Sequence, residues 1–172
     1  MNINIELNTH SVENAIKKLQ DYKKKIKVIE SAFIQESLDW IIERANYYLD
    51  LRDTMITNFE TTDIRDSWQK VKIGTNTWQI INLDDRATYA EFGTGLVGAN
   101  SPHAKANDNS YAYDVNNHGE DGWTFYNKDA GIYMEGFTGY KGKSFLYDAC
   151  YDYFEKGEYQ RIYTRVAKAI LG

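Results

Sequence analysis

The sequence has few residues of the kinds that cross-link or interrupt a chain. Cys150 is the only cysteine among 172 residues, which excludes an internal disulfide and a zinc site built from several thiolates. A single cysteine is also typical of a reducing compartment. Pro102 is the only proline, so few positions oblige a helix to end. We interpret Cys150, which follows Ala149 on an apolar helical stripe, as a buried and unreactive thiol.

The sequence also lacks an excess of positive charge and any long apolar run. Its 20 basic and 25 acidic residues give a formal charge of −5, which argues against a general nucleic-acid binder because phosphate contacts need clustered Lys and Arg. No stretch approaches the roughly 20 apolar residues of a membrane span. The first ten residues contain neither a basic segment nor an apolar run. We therefore expect a soluble, cytosolic product with no membrane partner.

Aromatic residues are plentiful, and most of them are tyrosine. They form 15% of the chain and include 14 Tyr, whose apolar ring and polar hydroxyl suit half-buried positions and contacts between molecules. The hydrophobic share of 42% is enough for a core in one domain of this length. We expect a single domain over residues 1–172 that associates with other molecules.

The N-terminal region is predicted to be a short strand followed by a long helix. Residues 3–7 alternate apolar and polar side chains, and Ser11 is placed to cap the helix. Apolar residues then recur every three or four positions from about 12 to 52. One unbroken helix would be about 60 Å long, which is too long for a domain of this size to cover. We expect either a bend at residues 23–25 or a part that packs on another subunit.

The middle of the chain is predicted to be mainly strand. A helical turn over 61–68 is followed by segments that alternate or are rich in β-branched and aromatic residues. These segments are 70–74, 77–83, 87–93, 123–127 and 131–137. The first three are separated by short polar turns, so we expect them to form an antiparallel meander. A polar, glycine-rich loop over 96–122 separates them from the last two.

Two helices are predicted at the C-terminus. Ser144 is placed to cap the first of them, Gly157 ends or bends it, and a second apolar stripe continues to Leu171. The chain then consists of an N-terminal strand and helical region (1–55), an antiparallel sheet (60–140) and C-terminal helices (144–172). This order predicts an α+β fold, with a curled or sandwich-like antiparallel sheet packed on helices.

The segment ATYAEFGTG at 87–95 raises the question of a phosphate loop. A dinucleotide fingerprint needs three glycines between a strand and a helix, because the pyrophosphate lies at the helix N-terminus. Gly93 and Gly95 are followed instead by the long predicted loop. We expect them to allow positive φ at the end of a strand, and we predict no cofactor.

Glu91 is the candidate for acid–base chemistry. Its possible carboxylate partners are Asp84, Asp85, Glu120 and Asp121. Spacing along the sequence does not indicate that any of them lies at the separation that glycoside hydrolysis needs. Acidic residues in turns are commonly just solvated, so we predict no catalytic residue.

The histidines and tryptophans suggest two further kinds of site. His103 and His118 share the long loop with Asp108, Asp114 and Asp121, and His10 is the third histidine. The spacing matches no zinc pattern, and aspartates in loops commonly support turns, so we predict no metal. The candidates for stacking on sugars or bases are Trp68, Trp78, Trp123 and Tyr126. Tryptophans in strands more often belong to the core, and the acidic chain lacks the basic groove that base stacking accompanies.

Four segments occur in an order that resembles a known family. They are DIRDSW at 63–68, YAEFGTGLVGANSPH at 89–103, YAYDVNNHGEDGWTFYNKD at 111–129 and KSFLYDA at 143–149. Together they resemble the neck, or tail-completion, protein family of long-tailed bacteriophages and prophages, over roughly residues 55–155. The sequence departs from that pattern at two points. Thr62 precedes Asp63 where the family often has Thr-Gly, and Ser144 stands where the family often has Pro.

The resemblance implies a non-enzymatic virion protein that joins the head to the tail. Six copies would form a ring around a channel, assembled in the bacterial host cytoplasm, with DNA only in transit. The other partners would be head-closure, tail-tube or tail-terminator proteins of neighbouring rings. The long loop would reach a neighbouring ring, and the long helix would pack across protomers. The acidic balance fits a lumen that repels phosphate, and a head-to-tail contact closes into a ring when its rotation divides the circle.

The residues expected at the interfaces or turns of such a ring come from two places: the predicted strand end at 89–95 and the two later segments of the resemblance. They are Tyr89, Glu91, Phe92, Gly93, Thr94, Gly95, Gly122, Trp123 and Phe145. For each of them, support of the fold is the other interpretation. Two other classes of function stay open: a carboxylate-dependent cell-wall hydrolase that uses Glu91, and a monomeric carbohydrate-binding module. Tail-like bacteriocins can share such parts, so the resemblance includes particles without a capsid.

Overall fold

One long helix and two C-terminal helices form the frame of the fold. The computed structural model describes residues 9–51, 61–115, 122–127 and 131–172. The helices within these ranges are α1 Thr9–Leu51, α2 Thr61–Asp66, α3 Arg86–Phe92, α4 Gly95–Asn100, α5 Phe145–Glu155 and α6 Glu158–Leu171. The strands are β1 Trp68–Lys72, β2 Trp78–Asn82, β3 Gly93–Thr94, β4 Trp123–Asn127, β5 Ile132–Phe137 and β6 Gly139–Lys141. The predicted α+β class is confirmed.

The strands form three small antiparallel sheets. β1 pairs with β2, with Trp68 opposite Asn82, and β4 pairs with β5, with Asn127 opposite Ile132. All four strands were expected from the character of their side chains, and the pairing of the first two was expected as part of the meander. β3 and β6 form the third pair. The expectation of one curled or sandwich-like sheet is therefore wrong for the described residues, and the strand predicted at 3–7 lies outside them.

α1 runs without a break through residues 23–25, so the first of the two alternatives, a bend there, is wrong, and packing on another subunit stays a prediction. Its 43 residues make it about 65 Å long at 1.5 Å per residue. The helix contains neither glycine nor proline, and lysine is a good helix former, which explains why three consecutive lysines do not interrupt it. The helix already includes Thr9. Ser11 therefore lies within its first turn and is not its cap, as had been expected.

The segment predicted as the third strand of the meander is helix α3. Its buried residues are Ala87, Ala90 and Glu91, and steps of three and four place them on one side of a helix. The side chain of Asp84 accepts a hydrogen bond from the backbone N–H of Arg86 at 2.9 Å, and the N–H of Ala87 donates to its carbonyl oxygen at 2.9 Å. Asp84 thus begins a helix where a turn between strands was expected.

The predicted long loop is partly folded against the body. Its first residues form α4, and the N–H of Val97 donates to the carbonyl oxygen of Thr138 at 3.1 Å. The N–H of Ala106 donates to the carbonyl oxygen of His103 at 3.0 Å, and Ala106 is buried. An open excursion was expected from Leu96 onward. It is wrong up to residue 115, and residues 116–121 lie outside the described part.

The hydrophobic core lies where the C-terminal half of α1 meets α5 and α6. Its fully buried large side chains are Leu49, Ile64, Phe145 and Ile162. α5 and α6 are separated by Gly157, whose φ is 73°, so the predicted break at this glycine is confirmed. No helix in the described part of the chain is long and apolar enough to cross a lipid bilayer.

A polar cluster links α1 to α5 beside this core. The carboxylate of the buried Asp152 accepts hydrogen bonds from Arg44 Nε at 2.9 Å and from the hydroxyl of Tyr48 at 2.7 Å. Lys156 Nζ lies 2.5 Å from its other oxygen. The hydroxyl of Tyr153 donates to Ser37 Oγ at 2.8 Å. These bonds give the packed helices a fixed register along each other.

Candidate functional site

Glu91 lies in the last turn of α3 and is buried against the N-terminus of α5. Its Oε2 accepts the backbone N–H of Leu146 at 2.8 Å, and its Oε1 accepts that of Tyr147 at 2.9 Å. The first amides of a helix have no partner within it, and the positive end of its dipole favours a carboxylate. Glu91 therefore caps a helix that begins more than fifty residues later in the chain.

Ser144 does not cap α5, contrary to expectation. Its φ is 49° and its side chain makes no capping bond, whereas capping residues usually have extended backbone. Its own N–H donates to the carbonyl oxygen of Glu91 at 3.1 Å. Proline cannot adopt a φ of 49°. The turn at Ser144 therefore differs from the turn of a chain that has proline at this position, before the phenylalanine.

His103 lies beside the carboxylate of Glu91. Its Nε2 is 3.1 Å from Glu91 Oε1, and the two side chains are only 2% and 10% exposed. The Nδ1 atom accepts the backbone N–H of Lys105 at 3.0 Å, which assigns the ring hydrogen to Nε2. This N–H is not aligned with the oxygen, and Nε2 has no hydrogen-bond partner with good geometry among the described residues. The pair is a close electrostatic contact.

Burial raises the pKa of Glu91 above its ordinary value. The N–H groups of Leu146 and Tyr147 and the neighbouring His103 act in the opposite direction and offset only part of the shift. Burial also raises the pKa of the Cys150 thiol, and the charge of Glu91 adds to this. Cys150 is half-buried, and a thiol with a raised pKa is a poor nucleophile at neutral pH.

Aromatic rings enclose the pair of Glu91 and His103. The ring of Phe92 meets His103 edge-on with centroids 4.6 Å apart and stacks on Tyr111 at 4.7 Å. Tyr147 approaches His103 from another side at 5.3 Å. The hydroxyl of Tyr113 accepts a hydrogen bond from the backbone N–H of His103 at 2.8 Å. The rings fix the histidine against the cap.

The hydroxyl of Tyr111 donates to the carbonyl oxygen of Gly93 at 2.5 Å. Burial raises the pKa of Tyr111 to about 12, with smaller contributions from Tyr89 and Tyr113. The hydroxyl therefore stays protonated and can act as a donor at neutral pH. This bond ties the aromatic group to the glycine segment.

The glycines at 93 and 95 serve a close approach between two backbones. Gly93 has a φ of 87°, and a Cβ atom there would lie 2.4 Å from the backbone nitrogen of Gly142. Gly95 has a φ of 62° and forms a bridge with Gly139. The predicted positive φ is confirmed, although the glycines follow a helix and not a strand. They bring the α3–α4 connection onto β6, where Thr94 pairs with Tyr140.

The predicted site residues lie in four places. Glu91, Phe92 and residues 93–95 lie together at the cap. Phe145 is 1% exposed in the core, whereas Tyr89 is about half exposed. Gly122 and Trp123 lie at β4, where Trp123 packs edge-on against Phe137 with centroids 5.3 Å apart.

Sequence reasoning missed that His103 is the neighbour of Glu91. His103 had been considered for a metal site, and Glu91 for catalysis together with other carboxylates. Asp84 is bonded to Arg86, and Glu120 and Asp121 lie outside the described residues. In the described part of the chain no three His, Cys, Asp or Glu side chains are placed to hold a metal ion. No spacing rule links residues 91 and 103.

The candidates for stacking on sugars or bases have partners within the chain. Trp68 Nε1 donates to Asn46 Oδ1 at 2.8 Å, and its ring meets Phe145 edge-on at 6.1 Å. Lys72 Nζ lies 5.9 Å above the ring of Trp78. The exposed Tyr126 pairs with Tyr133 across β4 and β5 at 5.1 Å.

Comparison of the chain with protein-family models, with curated proteins and with solved structures gives no match. The fold and the site together define an α+β protein in which a buried carboxylate, a histidine and a ring of aromatics join separate segments. Functional conclusions therefore depend on the residues and contacts of this chain.

Proposed function

We propose that the chain is a structural, non-enzymatic subunit of the neck of a long-tailed bacteriophage, a prophage or a related tail-like particle. Six copies form a ring that completes the tail, connects it to the head and leaves a channel for DNA. The proposal starts from the resemblance of four sequence segments to the neck, or tail-completion, proteins.

The convergence of these four segments in space carries the proposal. Glu91 of the second segment caps the helix of the fourth. His103 of the second is bonded to Tyr113 of the third, and Trp68 of the first packs on Phe145 of the fourth. Residues shared because of a common fold are expected to support one another in this way.

Exposed apolar side chains support assembly with other subunits. Residues of α1, of the β4–β5 hairpin and of α5 and α6 are examples: Ile16, Leu19, Tyr133, Tyr151, Phe154 and Tyr163 are each at least half exposed. Soluble monomers rarely expose large contiguous apolar patches. The β4–β5 hairpin, with Tyr133 72% exposed, is well suited to reach a neighbouring ring.

The arrangement at Glu91 favours the structural role over the hydrolase. A catalytic acid must reach the glycosidic oxygen, but both oxygens of Glu91 accept α5 amides and the side chain is enclosed by rings. For the carbohydrate-binding alternative, the Trp68 ring is not free to stack on a sugar, because Trp68 is bonded to Asn46 and packed on Phe145.

Deletion of the gene in the genome that encodes the chain tests the proposal. We expect full heads and tails that do not join, and joining restored by the wild-type gene supplied in trans. Lys168→Gln, a change on the exposed side of α6, should restore joining equally. Joined particles that form without the chain would refute the proposal. Normal particles that fail only to digest peptidoglycan would establish the hydrolase instead.

A further inference from the structure

The N-terminal half of α1 carries an apolar stripe whose large side chains are exposed, although Ala15 within the stripe is buried. We call residues 9–28 the basic arm. Every residue from 16 to 28 is exposed. Val12, Ile16, Leu19, Tyr22 and Ile26 are 37% to 54% exposed, and their spacing places them along one side of the helix. The arm is about 30 Å long at 1.5 Å per residue.

Lysines border the stripe of the basic arm. On a helix of 3.6 residues per turn, Lys23 and Lys27 lie along one border and Lys18 and Lys25 along the other. The arm contains six lysines and only two acidic residues, a formal charge of +4. Since the whole chain carries −5, the remaining residues carry −9. The arm is therefore complementary in charge to the rest of the same protein.

α5 presents an aromatic surface with one exposed carboxylate beside it, and this surface suits the arm. One side of α5 packs on α1 through Ala149 and Tyr153. The opposite side exposes Tyr151 by 51% and Phe154 by 61%, and the exposed Glu155 lies next to them. We call Tyr151, Phe154 and Glu155 the aromatic ridge. Lysines bind both carboxylates and the faces of tyrosine and phenylalanine rings.

We propose that the basic arm of one copy docks on the aromatic ridge of the next copy. The inference rests on the proposed ring, which makes a second copy the partner. The arm cannot reach its own ridge, because α1 is one unbroken helix and packs on the other side of α5. Different surfaces of the two copies are in contact, as ring closure requires. Residues 16–28 are exposed, and most helical stability in proteins comes from the packing of an apolar face, so docking also stabilises the arm.

Cross-linking between copies tests the docking directly. In a Cys150→Ser background, one preparation carries Leu19→Cys and another carries Tyr151→Cys. The two are mixed and treated with a short bismaleimide, so that any product joins the arm of one copy to the ridge of another. We expect a dimer band in the mixture that exceeds the bands from either variant alone by at least about tenfold. Lys17→Cys, on the opposite side of the arm, replaces Leu19→Cys as the matched control and should give little product.

A charge reversal supplies the second readout. Lys23→Glu with Lys27→Glu should abolish the product, whereas Lys17→Glu with Lys24→Glu, away from the stripe, should preserve it. Circular dichroism checks that each variant is folded. Three outcomes would overturn the inference. They are a product of Leu19→Cys with itself, absence of the mixed product, and arm-dependent binding to vesicles of anionic lipid without the mixed product. This assay needs no particle, so its outcome is separate from that of the gene deletion. The cross-link can form while the deletion leaves head–tail joining intact, and it can be absent while the deletion abolishes joining.

Discussion

Glu91 shows how a single side chain connects segments that are distant in sequence. Its carboxylate caps α5, its backbone carbonyl accepts the N–H of Ser144, and its Oε1 lies beside His103. A buried carboxylate is costly unless its oxygens are bonded. Here the amides of α5 supply those bonds, so the residue holds α3, α5 and the segment after α4 in one arrangement.

We expect Glu91→Gln to lower the free energy of unfolding by about 1–2 kcal/mol at neutral pH, because the amide group replaces one accepting oxygen with a donor that faces a backbone N–H. Urea denaturation measures the change. Glu155→Gln, on the exposed side of α5, is the control and should change stability by less than about 0.5 kcal/mol. Equal stability of the two variants would contradict the capping role.

The pH dependence of stability should also change at Glu91. Burial raises its pKa in the folded state above the ordinary 4.5. At a pH between the pKa of the unfolded chain and that of the folded protein, the folded protein therefore binds the proton more tightly than the unfolded chain. The contribution of Glu91 is complete below the unfolded pKa and is lost as the pH rises through the folded pKa. Denaturation at a series of pH values should show this loss in the wild type and not in Glu91→Gln. Parallel curves for the two proteins would refute it.

Gly93 should tolerate no side chain. Its φ of 87° and ψ of 178° are accessible almost only to glycine, and a Cβ atom would collide with the backbone of Gly142. We expect Gly93→Ala to cost about 3 kcal/mol or more, measured by urea denaturation. Gly131 also has a positive φ but has nothing within 4 Å of its added Cβ. Gly131→Ala should cost only about 1 kcal/mol, and a similar cost at both glycines would argue against the close approach.

At the scale of elements, the packing of α1 on α5 depends on the bonds around Asp152. Burial alone would raise the pKa of Asp152, but its bonds to Lys156, Tyr48 and Arg44 outweigh this and lower the pKa below the ordinary 3.8. With a lowered folded pKa, the stabilisation is present above the unfolded pKa and is lost as the pH falls through the folded one.

We therefore expect Asp152→Asn to reduce the free energy of unfolding by about 1–2 kcal/mol at pH 7, a modest value because Arg44 and Lys156 are partly exposed. The difference from the wild type should shrink below about pH 3.8, where the unfolded carboxyl is protonated. Asp39→Asn is a control, since Asp39 is exposed and, within the part of the chain that the structure describes, is bonded only to Lys70 on β1. A difference that is constant with pH would contradict the ionic role.

The elements that the sequence predicted well are those with a long or regular pattern. The stripes of α1, α5 and α6 and the alternation in β1, β2, β4 and β5 identified them correctly. The pattern at 87–93 is short, and alternation of Ala with larger residues fits a strand as well as a helix. The capping position of Asp84 was the signal that could have decided between them. The contact of Glu91 with His103 and α5 joins distant segments, and no local pattern encodes it.

At the scale of the whole molecule, charge and apolar surface are divided unevenly. The arm carries +4 and the other residues −9, and the apolar stripe of the arm is exposed. An acidic body is suited to line a channel through which DNA passes without binding. In the proposed ring, a basic arm on the same chain would provide an attraction between copies that would otherwise repel one another.

The position of the chain in the assembled particle tests the central claim most directly. Electron cryo-microscopy of intact particles, with the ring symmetry left free, measures that position. We predict a ring of six copies at the head–tail junction, around an open channel, into which the α1–α5–α6 frame fits. Particles whose junction is fully explained by other proteins, with no density for this chain, would contradict the account.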